Sequence, residues 1–184
     1  MLVNLGTPAA PTPEAVRAFL DEFLSDPAVV DWPRWIWRPI LSRMVLRSRP
    51  RRVAEMYASI WSDRGSPLRV ATEQMARAAS AHASGACTVS CAYRYGEPSL
   101  DTEMRRLAQE HAGPVIVVPL FPQRTDATTG TAFKRAREAA ARAGISDRYR
   151  EALIAPPDDG YIAALVDRCR ATFANAPPDH LVIS

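Results

Sequence analysis

Strand-like and helix-like segments alternate along this chain, and that alternation constrains its fold more than any other feature. Four short apolar runs read as strands: residues 1–5 (MLVNL), 87–93 (CTVSCAY), 114–120 (PVIVVPL) and 180–184 (HLVIS). A weaker fifth lies at 150–155 (REALIA). The central two have the β-branched content of strands covered on both faces. Helical periodicity fills the gaps. In 13–26, Val16, Phe19, Leu20, Phe23 and Leu24 form one stripe. The segment 66–83 opens with a Ser cap and a Pro in its first turn, and Gly85 follows it. Segments 98–113 and 128–144 end on Gly113 and Gly144, and 158–174 is the last helix.

Strand and helix in strict order build βαβ units, in which the crossover helix returns the chain to start a parallel neighbour. The expected architecture is α/β: a parallel sheet of four or five strands between two helical layers. A chain of 184 residues can bury one good core. No linker, repeat or low-complexity segment interrupts the pattern. One domain over 1–184 is expected, with a helical insertion at about 26–62.

Composition narrows the class. At 47% hydrophobic and 23% charged residues, the chain belongs with folded proteins rather than disordered ones. No apolar stretch reaches the ~20 residues of a membrane span. Met1 leads straight into Leu-Val-Asn-Leu, without a basic stretch or cleavage site. A cytoplasmic location is expected, with attachment to a membrane surface left open. The net charge of +3 is mild, and Lys134 is the single lysine. Arginine replaces lysine here as codon bias, so no nucleic-acid partner is implied. The cysteines are Cys87, Cys91 and Cys169, an odd count without framework spacing. Cys87 and Cys91 fall in one strand-like run, where four residues span about 13 Å. They are expected as buried small hydrophobes, not as a metal pair.

Ligands of an open parallel sheet bind outside the carboxyl ends of its strands. The segments there are NLGTP (4–8), YRYGEPS (93–99) and PLFPQRTDATTG (119–130), which present Asn4, Arg94, Tyr95, Gln123, Thr128 and Thr129. No G-x-G-x-x-G or G-x-x-x-x-G-K-[ST] occurs, so nucleotide binding lacks its motif. No G-x-S-x-G occurs either, which removes the hydrolase elbow. His82 and His111 sit near helix ends and are expected in solvent. His180 opens the terminal strand at its amino end, away from the rim. No metal-ligating set is expected.

Residues 32–52 (WPRWIWRPILSRMVLRSRPRR) hold three tryptophans, seven arginines and no acid. Trp35, Ile36, Ile40, Met44 and Val45 recur at roughly helical spacing. A basic aromatic helix suits a membrane interface or the lip of an apolar pocket. It equally suits a helix packed on its own sheet with arginines outward, and amphipathicity alone does not choose.

Taken in order, LVNLGTP, FLSDPAVVDWP, RPRRVAEMYASIW, GSPL, YRYGEPS and PLFPQ…TTG resemble the amino-terminal half of ferrochelatase, from Met1 to Ser184. That family of lyases inserts ferrous iron into a porphyrin, protoporphyrin IX, in haem biosynthesis. The resemblance implies two Rossmann-like halves flanking a deep cleft, with iron as substrate and no cofactor required. It implies that 32–52 is the hydrophobic lip that flanks the porphyrin and in many members touches the membrane. Leu5 falls where the family faces the porphyrin. Tyr57 and Ser66 match the pocket motifs Y-x-x-I and G-S-P. Arg94 and Tyr95 match the R-Y pair, where an arginine can hold a propionate by charge-assisted bonds or brace its loop through backbone carbonyls. Thr128 is implied as a further contact, although Arg124 and Asp126 depart from the family pattern in that loop. The family's terminal strand continues as Ser-x-His-x-x-Pro, with Ser184 as its serine. The resemblance therefore implies that the catalytic histidine lies just beyond this chain and its glutamate in a missing carboxy-terminal half. On that reading the chain is a truncated piece, with no catalytic residue of its own and inactive alone. The alternative is a non-catalytic porphyrin-binding or regulatory half-domain.

Overall fold

The structure is a computed structural model and describes residues 1–121, 124–154, 159–175 and 178–180. Contacts divide the chain into two compact units, Met1–Leu153 and Ile154–Ser184. The first unit contains a four-stranded sheet in the order β2-β1-β3-β4. Its strands are β1 (Leu2–Gly6), β2 (Cys91–Tyr95), β3 (Val115–Pro119) and β4 (Tyr149–Glu151). All pairings are parallel: Val3 opposes Ala92, Leu2 opposes Val118, and Ile116 opposes Arg150. The expected parallel α/β sheet is therefore present with four strands, and β3 is interior, as its β-branched sequence implied. The expected strand end at 181–184 lies outside the described residues.

The helices of this unit are α1 (Pro13–Leu24), α2 (Arg34–Ile40), α3 (Leu46–Ile60), α4 (Pro67–His82), α5 (Leu100–Glu110) and α6 (Thr131–Arg142). Val3, Ala92, Val115 and Val117 face α5 and α6, and pack with Leu100, Met104, Leu107 and Phe133. Ala132, Ala136, Ala139 and Ala140 on α6 are buried. Their small side chains let that helix approach the sheet closely. On the other face α4 covers β1 and β2. There the Asn4 side chain donates to Thr72 Oγ1 at 2.8 Å. Capping sets the helix starts: Thr12, Ser66 and Ser99 each accept a first-turn backbone N–H. The second unit contains α7 (Asp159–Asn175).

One expectation fails at β2. The strand begins at Cys91, not Cys87, because β1 begins at Leu2 and Leu2 pairs with Cys91. In the run before Cys91 only the Ser90 carbonyl meets β1, accepting the Leu2 N–H at 2.8 Å. Cys87 is exposed and Cys91 half-buried, so neither is the buried hydrophobe expected.

Residues Arg34–Ile60 are helical and pack on α1. Leu41, Leu46, Pro50 and Ala54 are buried. Arg17 donates to the Leu46 carbonyl at 3.2 Å, and Trp37 Nε1 to the Leu24 carbonyl at 2.6 Å. Two prolines lie inside these helices, Pro39 in α2 and Pro50 in α3. Between α2 and α3 a π turn at Leu41–Val45 carries the chain on, two residues after Pro39. Trp35 is 79% exposed, whereas Ile36 and Ile40 are half-buried. No helix among the described residues is long and apolar enough to cross a membrane.

Candidate active site

The carboxyl ends of β1 and β2 meet at two glycines. Gly6 has φ +110°, and a Cβ there would lie 1.8 Å from the Tyr95 carbonyl oxygen. Gly96 has φ +85°, and a Cβ there would lie 2.9 Å from the Thr7 carbonyl oxygen. Both positions exclude a side chain, so the two rim loops run in close backbone contact.

Arg94 and Tyr95 project from this rim. Arg94 NH2 donates to Asp26 Oδ2 in an ion pair whose side chains are 13% and 11% exposed. Tyr95 Oη donates to the same oxygen at 2.9 Å. The guanidinium lies 4.4 Å from the Tyr95 ring centroid, within cation–π range. The Phe23 ring meets the Tyr95 ring edge-on at 5.1 Å. Burial pushes the Tyr95 phenol well above its ordinary pKa; the Arg94 charge opposes that shift, and the bond to Asp26 adds to it. Asp26 comes from the loop after α1, where its Oδ1 accepts from the Ala28 N–H at 2.9 Å. The partner of Arg94 is thus a carboxylate, not the loop carbonyls that the sequence suggested as its alternative.

A cleft of about 860 Å³ opens beside this cluster. Asp26, Arg94 and Tyr95 line it with Arg34, Arg38 and Lys134, among others. Arg38 pairs with Asp21 at 3.1 Å. Both signs line the wall: Arg34, Arg38, Arg94, Lys134 and Arg135 offer donors to a ligand carboxylate, beside Asp21, Glu22, Asp26 and Glu138.

The other four predicted residues lie elsewhere. Leu5 is half-buried in β1. Tyr57 is half-buried on α3, with its ring 6.1 Å from that of Trp61. Ser66 is 1% exposed, and its hydroxyl accepts the Arg69 N–H at 3.2 Å as the α4 cap. Thr128 sits in a π turn, Asp126–Gly130, where its hydroxyl is 2.6 Å from that of Thr125. None of the four is among the described lining residues of the cleft. Asn4 is tied to α4, and Gln123 lies outside the described residues. Thr129 is fully buried, and its hydroxyl has no partner among the described residues.

His82 closes α4 and is exposed, and His111 follows α5 beside Glu110, also exposed. His180 is exposed as well. No group of three or more His, Cys, Asp and Glu side chains among the described residues is placed to hold a metal ion. Sequence reasoning missed Asp26, Arg38 and Lys134. The only signal for Asp26 was its place in the FLSDP motif, which says nothing about a partner 68 residues away.

Comparison with known proteins agrees with the geometry. The family model "Ferrochelatase" matches residues 1–184. The ferrochelatase of Aromatoleum aromaticum is 42% identical over 189 residues, covering 100% of this chain and 52% of that protein. The ferrochelatase of Cronobacter sakazakii is 40% identical, covering 100% of this chain and 58% of its own length. That of Methylococcus capsulatus is 48% identical over 133 residues, 72% of this chain and 40% of that protein. The chain spans about half the length of these curated relatives. With a match from end to end on a parallel sheet whose rim carries the Arg-Tyr pair, the chain belongs to the ferrochelatase family.

Proposed function

We propose that this chain forms the amino-terminal wall of a ferrochelatase cleft, in which ferrous iron is inserted into protoporphyrin IX during haem biosynthesis. The family match across residues 1–184 is the observation that carries this reading. Iron is a substrate here, and no cofactor is required. The porphyrin loses two pyrrole protons as the metal sheds its water, so haem and two protons leave. A positioned base contributes ~10² to 10⁴ in rate to such proton transfers. By the resemblance, that base is the histidine of the family's Ser-x-His-x-x-Pro motif, which lies outside residues 1–184.

In this reading Leu5 meets the porphyrin face, Arg94 and Tyr95 face a propionate, and Tyr57, Ser66 and Thr128 complete the pocket. Leu5, Tyr57, Ser66 and Thr128 lie off the cleft described above, so their contacts depend on the second wall. Trp32 and Trp35, 57% and 79% exposed, form a lip that meets lipid or substrate from the cytoplasmic side.

The test is a porphyrin fluorescence titration followed by anaerobic incubation with ferrous or zinc ion. Residues 1–184 are expected to bind protoporphyrin weakly, at best in the micromolar range, and to metallate it no faster than buffer. Addition of a relative's carboxy-terminal half is expected to produce turnover. Turnover by residues 1–184 alone would place the base within this chain. Porphyrin binding without turnover in any combination would favour a non-catalytic porphyrin-binding half-domain. Absence of porphyrin binding would overturn both.

A further inference from the structure

Asp26 is held from its own side before it touches Arg94. Its Oδ1 accepts the Ala28 N–H at 2.9 Å, and its carbonyl accepts the N–H groups of Val29 and Val30 at 3.0 Å. This turn, closed by the residue that precedes Pro27, makes the carboxylate a fixed point between α1 and the lip. Oδ2 of that carboxylate then takes one Arg94 donor and the Tyr95 hydroxyl. The Tyr95 ring lies against the guanidinium at 4.4 Å.

A guanidinium has five N–H donors in a rigid fork. Two constraints, the aromatic face and the carboxylate, fix the plane of this one. Arg94 Nε is buried and has no partner among the described residues. A buried donor without a partner is costly, and native structures seldom keep one without a use. Asp26 and Arg94 both line the cleft. The fork is thus held at one corner, and the cleft lies beside it.

We propose that Asp26 is a positioning residue for Arg94, fixing its guanidinium so that the donors left over meet a carboxylate of the bound porphyrin. This rests on the porphyrin reading above and adds to it the residue that sets the direction of carboxylate recognition. An arginine released from Asp26 would keep its charge but lose the orientation a forked contact needs.

The experiment compares mesoporphyrin with its dimethyl ester, which keeps the ring and removes the carboxylates. Both are titrated by fluorescence in the same detergent against residues 1–184 and the variants Arg94→Ala, Asp26→Asn and Asp26→Ala. Circular dichroism of each variant checks the fold, and the near-isosteric Asn keeps the test valid if Ala does not fold. The original chain is expected to prefer the diacid by about tenfold, one charge-assisted contact's worth. Arg94→Ala should bring the ratio near one, and Asp26→Asn should lower it by about threefold or more while ester binding stays the same. A merely structural role would weaken both ligands alike and leave the ratio unmoved, which would overturn the proposal. A ratio that rises in Asp26→Asn would also overturn it, making Asp26 a competitor of the ligand carboxylate. A ratio unaffected by Arg94→Ala would remove Arg94 from recognition and overturn it too. If neither porphyrin binds the original chain, the porphyrin reading fails and takes this one with it.

Discussion

The Tyr95 carbonyl oxygen occupies the space that any side chain on Gly6 would need. A Cβ on Gly6 would come within 1.8 Å of that oxygen, and φ +110° is itself closed to L residues. The rim of the sheet is therefore built on the absence of one methyl group. Gly6→Ala should force β1 away from β2 at the point where Arg94 and Tyr95 leave the sheet. The expected loss is at least ~3 kcal/mol of stability, since backbone strain and a backbone clash add. A urea melt checks it. The neighbouring Thr7→Ala, which removes a methyl and a buried hydroxyl without a described partner and leaves the backbone unstrained, should cost less.

The lip offers a sharper test than the sequence allowed. By pattern, Trp35 belonged to the apolar stripe and Trp37 did not. Trp37 is anchored, with Nε1 on the Leu24 carbonyl at 2.6 Å and its ring 6.2 Å from that of Trp32. Trp35 is 79% exposed. Trp35→Ser should therefore leave the thermal melt unchanged and weaken binding to phosphatidylserine vesicles by roughly tenfold or more, the value of one buried aromatic. Trp37→Ser should lower stability by about 1–3 kcal/mol, because it breaks a hydrogen bond and opens a cavity. Vesicle binding should also fall with salt, since Arg43, Arg47, Arg49, Arg51 and Arg52 are all exposed. Unchanged vesicle pelleting in Trp35→Ser would remove the lipid from this reading.

The same contrast shows what a single sequence reveals. β1 and β3 were legible because a short β-branched run has few other uses. The helices were legible from their Ser caps and apolar stripes, which are local signals. The start of β2 was not, because a strand begins where its neighbour begins. CTVS has strand-like composition, but the ladder between β1 and β2 runs only from the pair Leu2 and Cys91 onward, with Ser90 bonded to Leu2 through its carbonyl. At the site, Arg94 and Tyr95 were legible as a motif. Their partner Asp26 was not, since an ion pair spanning 68 residues depends on how α1 meets β2. The π turns at Leu41–Val45 and Asp126–Gly130 had no sequence signature, because each differs from an α turn by a single residue of register.

Alkaline pH should unfold this protein through its buried phenols. Burial pushes Tyr93 from an ordinary value of 10.0 up to about 12. Tyr95 and Tyr149 are raised too, each first by burial, with hydrogen bonds to Asp26 and Glu151 adding to the effect. A phenol whose folded pKa is raised holds its proton more tightly in the fold than in the unfolded chain. The stability linked to that proton is complete below pH 10 and is lost as pH rises toward 12. Tyr93 is the clearest case, because burial is the largest cause of its shift and its buried hydroxyl makes no hydrogen bond of good geometry to the described residues. Tyr93→Phe removes the titrating group and an unsatisfied oxygen together. At pH 7 the variant should match the original chain within ~1 kcal/mol or exceed it. Between pH 10 and 12 its stability should fall less steeply than that of the original. Urea midpoints measured across that range give both slopes. Parallel curves would mean that the Tyr93 phenol ionises as freely in the fold as in water.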